Sequence, residues 1–69
     1  MFINLADLKA MHLYKFANPS LNFYPPFIFI GQYSPLKDVM FDYEAFEVLT
    51  KNGIELYVQP KEMKYIEIE

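Results

Sequence analysis

The sequence predicts an α+β fold: an antiparallel sheet of at least three strands, about 27–33, 54–59 and 63–68, packed on a central helix over about 36–52. Three observations carry that expectation. Phe27-Ile28-Phe29-Ile30 is an unbroken run of strand-forming residues, and Ile54, Leu56 and Val58 alternate with Glu55, Tyr57 and Gln59. Between them, the stretch from Leu36 to Asn52 repeats its apolar residues at helical spacings. The 69 residues are read as a single compact domain, 1–69, because a chain of this length hides only about 60% of its unfolded surface and has no residues to spare for a second core.

Taken in order, Asn4 is a good cap for an N-terminal helix over 4–16, closed by Asn18-Pro19. Its wheel is poor, since Lys9 and His12 fall between Leu5 and Phe16, so a short helical turn over 4–9 followed by a strand over 11–17 is the alternative. Pro19 to Pro26 reads as an irregular crossing, with Tyr24-Pro25 a candidate cis bond. Both alternate sets of Phe27–Ile30 are apolar, which predicts a central strand covered on both faces, and Gly31 marks its end or a bulge. Ser34-Pro35 is a helix-start signal. The helix that follows carries two stripes: Leu36, Val39, Met40 and Tyr43 on one side, Phe41, Ala45, Val48 and Leu49 on the other. It is therefore sandwiched, or it restarts at a cap on Asp42, and Asn52-Gly53 supplies its left-handed stop. Ile54–Gln59, a turn at Pro60-Lys61-Glu62, and Met63–Ile68 then read as a hairpin.

Composition excludes several functions. With 54% apolar and 19% aromatic residues the chain has ample groups to bury, so it folds. Cysteine is absent, which removes disulfides, thiolate metal sites and thiol nucleophiles. Short secreted chains usually carry bridges, so a cytoplasmic location is expected. Met1 to Leu5 has no basic region of an export signal, and the longest strongly apolar run, Phe23 to Gly31, contains two prolines and falls well short of the roughly 20 residues a membrane-spanning helix needs. His12 is the only histidine, Ser20 and Ser34 sit beside prolines in turn settings, and Asp7 is five residues from His12, a spacing that separates them on a helix. Glu67 and Glu69 share a strand face without the further oxygen ligands a hard cation needs. Gly31 and Gly53 are the only glycines, too few for a phosphate-cradling loop. No catalytic residue, metal site or cofactor is expected, and the chain is read as a non-enzyme.

Charge supplies the positive expectation. The net charge of −3 divides unequally: residues 1–37 hold three lysines against one acid, and residues 38–69 hold three lysines against eight acids. Arginine, the residue suited to gripping phosphate in two places, is absent. Stacking of single-stranded nucleic acid on Tyr14, Phe16, Phe23, Tyr24 and Tyr33 is an alternative, but phosphate neutralisation dominates such binding and six lysines against nine acids supply little, so direct nucleic-acid binding is not expected. The leading expectation is a small acidic protein-binding module whose partner has a basic surface, such as a nucleic-acid-handling protein. Its candidate contact residues are Glu44, Glu47, Glu55, Tyr57, Glu62, Tyr65, Glu67 and Glu69. The composition resembles that of small acidic phage proteins, anti-CRISPRs among them, without any family motif; that resemblance implies an inhibitor occupying a basic groove. A structural subunit or homodimerisation module is the alternative, with surplus aromatics shared between copies.

Overall fold

The computed structural model describes residues 2–33 and 42–68. These residues form six strands: β1 (Ile3–Asn4), β2 (Leu13–Phe16), β3 (Phe27–Gln32), β4 (Tyr43–Thr50), β5 (Gly53–Pro60) and β6 (Lys64–Glu67). All lie in one antiparallel sheet in the order β1-β6-β2-β3-β4-β5. Two single 3-10 turns, Leu5–Asp7 and Pro19–Leu21, interrupt the strand-to-strand connections.

The sheet is rolled. Phe16 of β2 and Tyr57 of β5 are three strands apart, a path of about 14 Å at ordinary strand spacing, yet their ring centroids are 5.8 Å apart. Phe46 of β4 and Tyr65 of β6 are also three strands apart, and their rings meet at 5.7 Å. The concave side is therefore the core, a cluster of Tyr14, Phe16, Phe27, Phe29, Phe46 and Tyr65 closed off by Leu5 and Leu8. Rings solve the problem of a small core because each hides far more area than an aliphatic side chain and fills a narrow roll from several strands at once. A β-bulge between Phe29 and Gly31, where β3 slips one residue against β4, adds bend at the middle of the sheet, as the Gly31 signal allowed.

Several expectations are corrected. Among the described residues there is no helix of seven or more residues, so the fold is an antiparallel sheet and not an α+β sheet on a central helix. Of the expected helix over 36–52, residues 36–41 and the Ser34-Pro35 start lie outside the described residues, while Tyr43–Thr50 is strand β4. The physical reason is that Phe46 and Val48 face the core while Ala45 and Leu49 face the other way, so apolar residues on both sides of a strand imitate two helical stripes. Gly53 does adopt the expected positive φ of 98°, but it closes the tight β4–β5 turn over Lys51-Asn52 and caps no helix. The N-terminal helix over 4–16 is likewise replaced by the 3-10 turn Leu5–Asp7 and strand β2, the alternative reading of that segment.

The 54–59 and 63–68 strands exist as β5 and β6 but do not form a hairpin. β5 pairs with β4, and β6 crosses to lie between β1 and β2, with Tyr65 opposite Ile3 and Phe16. Burying Tyr65 among Phe16, Phe27 and Phe46 requires that position. No cis peptide bond occurs among the described residues, so Tyr24-Pro25 is trans.

Candidate partner-binding surface

Strand alternation and register assign every side chain of the sheet to one of two faces. On the concave face, Glu44 stands opposite Gln59, Glu55 opposite Val48 and Glu67 opposite Tyr14. Glu47 stands opposite Leu56 on the convex face, and Glu62 lies in the turn after β5. Glu69 lies outside the described residues. The structure thus brings Glu44, Glu55 and Glu67 to one side of the sheet on three different strands and sends Glu47 to the other.

Two of the acids on the concave side, Glu55 and Glu67, also have local partners. The Thr50 hydroxyl donates to Glu55, fixing the β4–β5 turn. Glu67 meets His12 Nδ1 at 3.1 Å, an exposed pair that closes the seam between the β2 entry and β6. The two expected tyrosine anchors differ from each other. Tyr65 is 1% exposed and is part of the core, where burial, and secondarily Glu44, hold its phenol well above its ordinary pKa. Tyr57 is half-buried against Phe16, Tyr24, Phe27 and Phe46, and burial, then Glu55 and Tyr24, raise its pKa. Of the proposed stacking residues, Tyr14 and Phe16 are buried, Tyr33 is half-buried, and Phe23 and Tyr24 are exposed side by side with centroids at 4.5 Å.

The convex face holds what the sequence reading missed. Leu13 of β2 is opposite Ile28 of β3, Ile28 is opposite Leu49 of β4, and Leu49 is opposite Ile54 of β5. On the other flank the Ile68 N–H donates to the Leu13 carbonyl at 2.9 Å, continuing the β2–β6 register so that Ile68 is next in line. Ile68, Leu13, Ile28, Leu49 and Ile54 therefore form an aliphatic row about 19 Å wide at ordinary strand spacing. Leu56, 44% exposed, extends the row along β5, and Ile54 at its end is 67% exposed. Cross-strand aliphatic neighbours support each other, which accounts for part of the row, but they do so while facing outward.

A cavity of about 520 Å³ lies at one end of the roll, between the Ala17–Pro19 segment and the turn after β5. Phe2, Pro19 and Met63 supply its apolar wall, and Glu62 and Lys64 its polar rim. The Lys64 ammonium is already engaged, donating to the Asn4 side chain. Among the described residues no helix is long and apolar enough to cross a membrane. No protein-family model, curated protein or solved structure matches the chain.

Proposed function

We propose that this chain is a small protein-binding module that seats a partner protein on the convex face of its sheet and performs no bond-making of its own. The observation that supports this reading is the aliphatic row from Ile68 to Ile54, which presents contiguous apolar side chains outward although a compact aromatic core lies on the other side. Contiguous exposed apolar surface of this kind is the usual mark of a protein contact. The net charge of −3, with Glu47 standing within the face, favours a partner with lysine and arginine around an apolar centre. A cytoplasmic nucleic-acid-handling protein is such a partner, and inhibition by covering its basic groove is the specific form of the proposal.

The test is capture of bacterial proteins by the immobilised chain, compared with variants of equal circular dichroism. Leu49→Lys, in the centre of the row, should abolish capture, while Glu55→Gln and Glu67→Gln on the concave side should leave it within about threefold. A complex that joins the apolar row to basic residues of the partner should weaken but persist between about 0.05 and 0.5 M salt, whereas one held only by exposed carboxylates is lost over that range. Capture that survives Leu49→Lys would refute the proposed face.

A further inference from the structure

The two edges of the sheet are unlike. β1 is two residues long, too short to template another strand. β5 runs for eight residues, and among the described residues β4 is its only strand partner. Natural edges are ordinarily blunted by lysine, internal proline or a bulge. From Gly53 to Gln59, β5 has none of these, and its one charge is Glu55.

The phase of its hydrogen bonds follows from the turn. Thr50 and Gly53 flank a two-residue loop and form a hydrogen-bonded pair, so Glu55, Tyr57 and Gln59 also exchange bonds with β4. Two bonds confirm this alternation: the Ala45 carbonyl, opposite Val58, accepts from Tyr33 N–H at 2.8 Å, and Lys61 N–H donates to Asp42 at 3.1 Å. Ile54, Leu56 and Val58 consequently direct their N–H and C=O groups away from β4. None of the backbone bonds described outside the strands involves these three residues.

We propose that this edge pairs with the β5 edge of a second copy, antiparallel about a two-fold axis at Leu56. The register is selected by the sequence. With Leu56 opposite Leu56 of the second copy, Ile54 faces Val58 in both directions, every paired residue has an N–H, and Pro60 stays outside the ladder. Shifting one way brings Pro60, which has no N–H, opposite Ile54. Shifting the other way sets Glu55 against its own copy, a like-charge pair that opposes pairing. In the favoured register Glu55 faces the neutral phenol of Tyr57. Each hydrogen-bonded pair then exchanges two backbone bonds, and the two convex faces join so that Ile54 of one copy continues into Val58 and Ala45 of the other. This contact uses the backbone edge of β5, and although Ile54 and Leu56 also belong to the partner face proposed above, it does not require a partner protein on that face.

The test is sedimentation equilibrium of the full chain up to about 1 mM, a concentration that populates even weak dimers. The expected result is a species of twice the 8.2 kDa chain mass. Leu56→Lys, which brings two ammonium groups together on the axis, should raise the dissociation constant at least about tenfold. Lys15→Glu, a charge change on the same face but three strands from the edge, should leave it unchanged within about twofold. Amide exchange at Ile54, Leu56 and Val58 should slow with protein concentration, whereas Glu55 and Tyr57 are protected at all concentrations. A monomer at about 1 mM with those three amides unprotected would overturn the proposal. So would growth beyond two copies, since two-fold pairing of one edge closes at a dimer.

Discussion

Phe27 is the residue on which the rolled sheet should depend most. It is fully buried, and its ring meets those of Tyr14, Phe16, Phe46, Tyr57 and Tyr65 at centroid distances from 5.4 to 6.5 Å. Truncation of a buried Phe to Ala costs about 3–5 kcal/mol. At about 0.05–0.15 kcal/mol per residue, a 69-residue domain has only about 3.5–10 kcal/mol in total. Phe27→Ala should therefore leave little folded protein. Phe27→Leu keeps most of the volume while losing the ring contacts, and should cost about 1–2 kcal/mol. In urea, with a slope of about 1 kcal/mol/M for so small a domain, its midpoint should fall by about 1–2 M. Phe23 is the control: it is 73% exposed, and Phe23→Ala should cost less than about 0.5–1 kcal/mol despite removing the same atoms. Equal losses from Phe27→Leu and Phe23→Ala would refute the assignment of the concave face as core.

Three further expectations rest on other residues. Met11 is exposed and holds a φ of 68°, a left-handed conformation costly for a side chain, so Met11→Gly should gain up to about 1 kcal/mol and raise the melting temperature by a few degrees. The buried Tyr14 hydroxyl accepts the Lys9 N–H at 2.8 Å; Tyr14→Phe should cost about 1–2 kcal/mol and speed exchange of the Lys9 amide. Because burial raises the pKa of Tyr65 in the fold, the unfolded chain loses its proton first as pH rises. Its contribution is complete below about pH 10 and declines above, by at most about 1.4 kcal/mol per pH unit. Urea midpoints between about pH 8 and 11 should show that decline in the native chain and a shallower one in Tyr65→Phe.

The legible parts of the fold were those where a single periodicity was available. β5 alternates cleanly between Ile54 and Gln59, and β3 is a short apolar run bounded by Pro26 and the bulge at Gly31. β4 was hidden because Phe46 and Val48 alternate on one face while Ala45 and Leu49 add apolar residues on the other, which satisfies a 3.6-residue period as well as a period of two. Asn52-Gly53 was the available corrective, being a stronger signal for a two-residue hairpin than for a helix stop when strand-formers flank it. Strand order was not legible at all. Adjacency in sequence favoured a β5–β6 hairpin, whereas the gain from burying Tyr65 among Phe16, Phe27 and Phe46 places β6 beside β2. The same gap hid the aliphatic row: Ile68, Leu13, Ile28, Leu49 and Ile54 are distant in sequence and become neighbours only through four strand registers. The carboxylates, counted by their half of the chain, form a single group, but alternation sends Glu47 and Glu55 to opposite faces.

Hydroxyl-radical footprinting of the chain, free and bound to a captured partner protein, tests the binding face most directly. Protection of Leu13, Leu49 and Ile54, with His12 and Tyr24 unchanged, is the predicted pattern. Protection of His12 and Tyr24 while the aliphatic row keeps its free reactivity would contradict it.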